Sequence, residues 1–185
     1  MQNSFLVLCP VDPHWTLPDD EGLIRLLQSV RLIGKLYRET MDFWPGERFL
    51  DLVAFLGCSP DIKLEPDEDS PHFCFIRLKT RTRSVEFHAG DHSFAPRCPQ
   101  CRSAMDDWRN RIHDWQQRAG NAPLPCNSCG HPAMPWDYNW RKSAGFGRCF
   151  IEINNIYPRE AIPQQHLLDT LNSHYQVNWH YFYQY

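Results

Sequence analysis

Two pairs of cysteines constrain this chain more than any other feature of its sequence. Cys98 with Cys101 and Cys126 with Cys129 each form a C-x-x-C pair, and 24 residues separate the two pairs. This spacing allows one tight turn to point both sulfurs of a pair at the same place. Four thiolates that meet in this way suit tetrahedral Zn²⁺. We therefore expect one structural zinc ion bound by all four cysteines, with no open position for Lewis-acid chemistry.

Residues next to the pairs favour metal binding over the alternatives. Pro99 restricts the first turn, and Gly130 permits left-handed backbone directly after the second. Disulfides would require an oxidising compartment. The N-terminal apolar run has no basic region before it and stops at Pro10, so we predict no signal peptide and a cytoplasmic location. A redox motif would need only one pair, and His131 is an alternative fourth ligand.

The composition indicates a globular protein without a strong bulk charge. A chain of 185 residues can bury one core and allows an additional insert. Its 22 acidic and 19 basic side chains nearly balance, which does not favour nucleic acid or an anionic membrane as partner. No stretch approaches the length of a transmembrane helix. The remaining cysteines lie in apolar surroundings and are expected to be buried small hydrophobes: Cys9, Cys58, Cys74 and Cys149.

Hydrophobic periodicity predicts strands and helices on both sides of the cysteine region. The expected strands are Phe5–Cys9, His72–Leu78, its hairpin partner Ser84–His88, a long strand Phe146–Ile156, and a C-terminal strand with Trp179, Tyr181, Tyr183 and Tyr185 on one face. The expected helices begin at Asp19, at Pro45 and at Pro163, and Gly57 is placed to end the second of them.

This order of elements predicts an α+β fold with one antiparallel sheet and its helices on one face, an arrangement similar to the ferredoxin-like fold. Residues 1–93 and 136–185 would together form this domain, and residues 94–135 would be an insert. Within the insert, apolar residues step by three and four, which predicts a helix that joins the two cysteine turns: Met105, Trp108, Ile112 and Trp115. Ser103 and Asp106 are candidate caps of that helix.

Four basic residues occupy every second position of one segment: Arg77, Lys79, Arg81 and Arg83. A strand places such residues on one face. We favour a solvated face of an antiparallel sheet. The alternative is a docking strip for an acidic partner. Residues 61–71, with five acidic residues and two prolines, are expected to form an exposed loop.

No catalytic constellation is recognisable in the sequence. The chain lacks the patterns G-x-x-x-x-G-K-[ST], G-x-G-x-x-G and G-x-S-x-G. The consecutive acidic side chains of residues 67–69 point apart and suit solvent better than shared proton transfer. His88 and His92 are an alternative second metal site, but their spacing differs from H-E-x-x-H. We therefore expect a protein that is not an enzyme.

The charge of the insert does not favour nucleic acid. Residues 94–135 contain five arginines and three aspartates, a net charge of +2, and four thiolates on one Zn²⁺ contribute a formal −2. Affinity for phosphates comes from clustered Lys and Arg, and this module is about neutral. A small local patch is the exception, formed by Arg97, Arg102, Arg109 and Arg111.

The two C-x-x-C pairs resemble a zinc ribbon over about 40 residues, so the insert is identified as a four-cysteine zinc-ribbon element. Three C-terminal segments are similar to a group of uncharacterised bacterial zinc-ribbon proteins: A-G-F-G-R-C-F-I-E-I-N-N-I-Y-P-R-E-A-I-P, H-L-L-D-T-L and W-H-Y-F-Y. Small proteins of this kind include immunity proteins, which neutralise a secreted toxin of the same cell. Residues 1–93 carry 15 acidic and 10 basic side chains, a net charge of −5 that is compatible with such a role.

The sequence therefore predicts a non-enzymatic cytoplasmic protein that binds another protein and contains one structural zinc ion. The resemblance implies an immunity protein against a bacterial toxin as the narrower form of this function. The alternative is a nucleic-acid-binding zinc ribbon, whose binding would weaken steeply with added salt.

Overall fold

The computed structural model describes residues 4–38, 40–56, 62–66, 72–118, 122–157 and 159–184. Its helices are α1 (Asp20–Ser29), α2 (Phe49–Leu52), α3 (Trp108–Gln117) and α4 (Gln165–Tyr175). Its strands are β1 (Phe5–Pro10), β2 (Ile33–Arg38), β3 (Asp42–Pro45), β4 (Val53–Phe55), β5 (Phe75–Lys79), β6 (Glu86–Ala89), β7 (Leu124–Pro125), β8 (Pro132–Ala133), β9 (Ala144–Gly147), β10 (Phe150–Asn154), β11 (Ala161–Pro163) and β12 (Trp179–Gln184). One turn of 3-10 helix spans Pro135–Asp137.

A six-stranded sheet forms the centre of the fold, with the strand order β12-β1-β10-β5-β3-β2. Every neighbouring pair in this sheet is antiparallel. Three small two-stranded sheets accompany it, β11-β4, β6-β9 and β7-β8. The predicted α+β class with a large antiparallel sheet is therefore confirmed.

The main hydrophobic core lies between one face of this sheet and helices α1 and α4. Alternate residues of β1 and β10 point into it, since a strand turns successive side chains to opposite faces: Leu6, Leu8, Ile151 and Ile153. The helices contribute leucines at helical spacing, namely Leu23, Leu27, Leu167, Leu168 and Leu171. Asp19 caps α1 by accepting a hydrogen bond from the Gly22 backbone N–H. Burial of each such leucine contributes about 1.5–3 kcal/mol to folding.

A second hydrophobic core packs against the opposite face of the sheet. Val7, Cys9, Phe150 and Phe182 form the apolar part of that face. Strand β9 approaches it closely, because a Cβ atom added at Gly145 would overlap the ring of Phe182. The sheet therefore separates two cores, and Cys98 and Cys126, one cysteine of each pair, belong to the second one.

The predicted helix from Pro45 to Gly57 is wrong over most of its length. Pro45 ends β3, and α2 is a single turn. Val53 then adopts extended backbone and starts β4, which pairs with β11. Tertiary pairing overrides the helical spacing here, since Val and Phe also favour strands. Gly57 lies outside the described residues, as do Cys58, Tyr185 and most of the predicted acidic loop.

The predicted hairpin of residues 72–78 and 84–88 is also wrong. Strand β5 pairs with β10 and β3, whereas β6 pairs with β9. The expected long strand Phe146–Ile156 is broken after Gly147, where the chain passes from the second core into the main sheet. The β2–β3 hairpin was not predicted from the sequence. The last helix begins at Gln165 and not at Pro163, because Pro163 ends β11.

Candidate metal centre

The structure brings the sulfurs of Cys98, Cys101, Cys126 and Cys129 within 4.8 Å of one another. Across the two pairs, the sulfurs of Cys98 and Cys129 lie 3.8 Å apart, and those of Cys101 and Cys126 lie 3.6 Å apart. Tetrahedral Zn–S bonds of about 2.3 Å place their sulfurs about 3.8 Å apart. The spacing thus fits one metal ion bound by four thiolates. Among the described residues, no other group of three or more His, Cys, Asp or Glu side chains is so arranged.

The first cysteine turn is closed by its own backbone. The Cys98 N–H donates to the Ser103 carbonyl (2.9 Å), and the Arg102 N–H donates to the Cys98 carbonyl (3.0 Å). The Gln100 N–H points at the Cys98 sulfur, 3.4 Å away. Such N–H groups favour the thiolate over the thiol, because they stabilise its negative charge.

The second turn repeats this pattern. The Cys126 N–H donates to the His131 carbonyl and the Gly130 N–H donates to the Cys126 carbonyl, both at 2.9 Å. The Ser128 N–H lies 3.4 Å from the Cys126 sulfur. His131 therefore contributes its backbone to the turn and is not part of the four-sulfur group.

The residue after each pair has left-handed backbone. Gly130 has φ of 72°, as the sequence predicted, and Arg102 occupies the equivalent position of the first turn with φ of 62°. This conformation is uncommon for residues other than glycine. The sequence carried no signal for it at Arg102. The left-handed backbone of Arg102 is recognised only when the two turns are compared in three dimensions.

Two of the four thiols are biased towards the thiolate. Hydrogen bonds from Ser103 lower the pKa of Cys101 to about 6. The backbone N–H groups of Cys129 and Ser128 lower the pKa of Cys126. Although the backbone of His131 acts to lower the pKa of Cys129, partial loss of solvent and the other three thiols raise it to about 12. A metal ion must displace that proton, so metal binding weakens as the pH falls.

Helix α3 occupies the long interval between the pairs and supports both turns. Its inner face buries Trp108, Ile112 and Trp115. The predicted helix is confirmed, but Met105 precedes it and neither predicted cap is used, because Asp107 holds the N-cap position and makes no capping hydrogen bond through its side chain. The 24 residues between the pairs exceed the usual spacing because they include α3, which packs in the second core.

Polar contacts join α3 to the second cysteine turn. Arg111 donates to the Asn127 side-chain oxygen (2.7 Å) and to the Pro125 carbonyl (2.5 Å). Asn127 in turn donates to Asp107 (3.2 Å). Arg109 donates to the Asp91 carbonyl at 2.5 Å and covers the ring of Trp108. Two of the four arginines of the predicted local patch therefore make hydrogen bonds within the chain.

The second core contains many aromatic rings, and the metal centre lies at its edge. Cys98 and Cys126 are buried in it, whereas Cys101 and Cys129 are exposed. The buried members run from Cys98 to Phe146, and the half-buried ones include Val85, Phe87 and Ala89. Boundaries of the insert at residues 94 and 135 stay a prediction, since this core also draws on β6 and β9.

The predicted strip of four basic residues does not form. Arg77 makes two hydrogen bonds to the fully buried Asp42, at 2.7 and 2.9 Å. Lys79 pairs with the buried Glu152 at 3.0 Å and ends the strand. Arg81 has left-handed backbone, so the alternation stops there. Buried acidic partners thus neutralise the two cations that do lie on β5, and neither is available to an acidic partner protein.

His88 lies at the junction of the second core and the sheet. Its ring stacks on Phe150 with 4.0 Å between the ring centroids. Its two nitrogens face Glu86 (3.3 Å) and Glu152 (3.6 Å). Burial, followed by the charge of Lys79, lowers the pKa of His88. His88 belongs to this polar junction, and neither it nor His92 belongs to a metal-ligand group within the described residues.

The remaining described cysteines are buried, as expected: Cys9, Cys74 and Cys149. Burial raises the pKa of each thiol, for Cys149 to about 12. The Cys9 sulfur lies 3.1 Å from His180 Nε2, an arrangement that elsewhere activates a nucleophile. A fully buried thiol with a raised pKa is inert, so this pair is structural.

No family model, no curated protein and no solved structure matches the chain. The resemblance to bacterial zinc-ribbon proteins therefore rests only on the sequence segments that suggested it. None of the helices in the described ranges is both long enough and apolar enough to span a bilayer.

Proposed function

We propose that the four cysteines bind one Zn²⁺ ion and that this ion holds the second core together. The single observation that carries this proposal is the four-sulfur geometry, with two equivalent turns and cross-pair distances of 3.6 and 3.8 Å. Soft thiolates in a tetrahedral set favour zinc over magnesium or calcium. A complete thiolate shell gives the metal a structural role.

Elemental analysis of the purified chain tests the metal. We expect one zinc per chain, lost when Cys98→Ser or Cys126→Ser removes a buried ligand. Cys74→Ala is the matched control, because Cys74 is buried in the main core and lies outside the four-sulfur group. Full zinc occupancy in both serine variants contradicts the four-cysteine site. Iron in place of zinc contradicts the choice of metal.

We further propose that the chain is a non-enzymatic protein-binding module that works in a reducing compartment such as the cytoplasm. The closed ligand shell and the inert buried thiols support the absence of catalysis, and reduced cysteines are needed for metal binding. Pull-down with the tagged, zinc-loaded chain from its native cells tests the proposal. A stoichiometric protein partner is expected, and recovery of none from folded protein contradicts it.

The strand order supports a ferredoxin-like core. Strands β1, β5, β10 and β12 lie in the order β12-β1-β10-β5, with α1 following β1 and α4 preceding β12. The split β-α-β arrangement of that fold has its strands in the same order. The β2–β3 hairpin would then be an extension beside β5, and the second core would be an excursion between β5 and β10.

The narrower function, an immunity protein that neutralises a bacterial toxin, rests on the resemblance alone. A partner with toxic activity in the pull-down is the result that would establish it. The nucleic-acid alternative is not favoured by any contact, since Arg109 and Arg111 already donate to backbone and side-chain oxygens of the chain itself.

A further inference from the structure

The two edges of the six-stranded sheet differ in how they are covered. At one edge, the Tyr183 N–H of β12 donates to the Lys142 carbonyl (2.9 Å), so a neighbouring segment caps that strand. At the other edge, β2 pairs with β3 on one side only. Among the described parts of the chain, no further backbone hydrogen bond involves residues 33–38. An exposed strand edge is a template for another strand.

Strand β2 carries cations and one exposed apolar side chain. Lys35 and Arg38 are exposed, and Leu36 is 51% exposed. Lys35 lies over the ring of Trp44, and Arg38 lies over the ring of Tyr37. Neither cation has a carboxylate partner within the described ranges. This edge therefore contrasts with β5, whose cations are neutralised by Asp42 and Glu152.

We propose that this edge of β2 binds an extended acidic segment of a partner protein, which adds to the sheet as a further strand. Backbone hydrogen bonds supply affinity in this mode, and side chains supply specificity. Acidic residues of the segment would pair with Lys35 and Arg38, and an apolar residue would cover Leu36. The inference rests on the proposed protein-binding function and gives it a surface and a partner chemistry.

Two other occupants fit this edge less well. A second copy of the chain would bring β2 against β2, and the like charges of Lys35 and Arg38 would then repel each other. Single-stranded nucleic acid needs free aromatic faces for base stacking. Here Phe73 stacks on one face of Trp44, and Lys35 lies over the same ring system. Charge complementarity thus favours an acidic polypeptide.

An NMR titration of the isotopically labelled, zinc-loaded chain tests the proposal. The probe is the synthetic peptide acetyl-Glu-Val-Glu-Val-Glu-Val-amide, with a Lys-for-Glu peptide as the charge control. A third peptide has every backbone nitrogen methylated, which removes strand pairing along both of its edges but keeps the charge. We expect the acidic peptide alone to shift the amide signals of residues 33–38.

Charge reversal gives the second readout. Lys35→Glu combined with Arg38→Glu should weaken binding of the acidic peptide at least about tenfold. Arg83→Glu combined with Arg118→Glu changes the net charge equally at exposed positions outside β2 and should leave binding unchanged. Equal binding of the methylated peptide, or no shift in β2 at millimolar acidic peptide, overturns the proposal. Tighter binding of oligouridine at β2, or self-association that the β2 variant abolishes, also overturns it.

Pull-down of the native partner tests the β2 surface separately from protein binding itself. If the wild-type chain recovers a partner and the Lys35→Glu, Arg38→Glu variant recovers it equally, the β2 surface is wrong but protein binding stands. If the folded wild-type chain recovers no partner, protein binding itself is contradicted.

Discussion

The two hydrophobic cores of this chain are built by different means. The main core combines a six-stranded sheet with two helices and consists largely of leucine and isoleucine. The second core has one helix, strands of two to four residues and many aromatic rings, with the cysteine centre at its edge. Small units bury too little area to be stable alone and usually need a metal or disulfide. The comparison indicates that regular secondary structure stabilises one side of the sheet, and under the proposed function metal binding by the four cysteines supports the other.

Removal of the metal is expected to have the largest effect, and it should affect the two cores unequally. Zinc binding to small structural sites is worth about 10–16 kcal/mol. Chelation, or Cys126→Ser, should therefore abolish amide protection in α3 while strands β1 and β10 stay protected. Hydrogen exchange measured residue by residue gives the result. Simultaneous loss of protection on both sides of the sheet would show that the metal sustains the whole chain.

A cavity in the main core should produce the opposite pattern. Ile151 is fully buried on β10, and Ile151→Ala should lower the free energy of unfolding by about 2–5 kcal/mol. Because the second core packs on this sheet, both cores should unfold together in urea. Leu50→Ala is the control, since Leu50 is 53% exposed and the change should cost less than about 0.5 kcal/mol. Tryptophan fluorescence of α3 that persists after the sheet has unfolded would show that the second core does not depend on the sheet.

Local patterns predicted the features whose causes are local. The apolar run of β1, the leucine spacing in α1 and α4, and the C-x-x-C turns all depend on neighbours within a few residues. The helix at residues 108–117 was predictable for the same reason, because Trp108, Ile112 and Trp115 recur at helical spacing.

Strand pairing over long separations was not predictable in this way. Strand β6 looked like a partner for β5 because the two are close in sequence, but β9 pairs with it across more than 50 residues. The short strand β4 owes its conformation to β11. The buried partners of Arg77 and Lys79 likewise come from other strands. In the sequence, Asp42 and Glu152 cannot be told apart from acidic residues that are exposed to solvent.

A methyl group where the second core packs on the sheet should destabilise the chain by less than the cavity in the main core. In Gly145→Ala the new Cβ would overlap the ring of Phe182, and overpacking of this kind costs about 1–3 kcal/mol. Thermal unfolding of the zinc-loaded variant measures the cost. Gly147→Ala is the matched control on the same strand, where the nearest atom to the added Cβ is at 3.3 Å. Equal destabilisation by both variants would show that the cost comes from strand conformation and not from the contact.

The smallest expected effect is a pH dependence at the same junction. Burial, followed by Lys79, lowers the pKa of His88, while Glu152 and Glu86 act in the opposite sense. The unfolded chain then binds a proton at a higher pH than the folded chain does. Stability contributed by neutral His88 is thus complete above the ordinary histidine value of 6.5 and is lost as the pH falls below it. The slope from one proton cannot exceed about 1.4 kcal/mol per pH unit.

Comparison with His88→Gln isolates this contribution, because zinc release and His180, whose pKa is also lowered by burial, affect both proteins equally. The wild-type chain should lose more unfolding free energy than the variant between pH 7 and pH 5, measured in urea at each pH. Parallel curves would mean that His88 takes up its proton in the folded state as readily as in the unfolded state. Glu86 and Glu152 would then offset burial and the charge of Lys79.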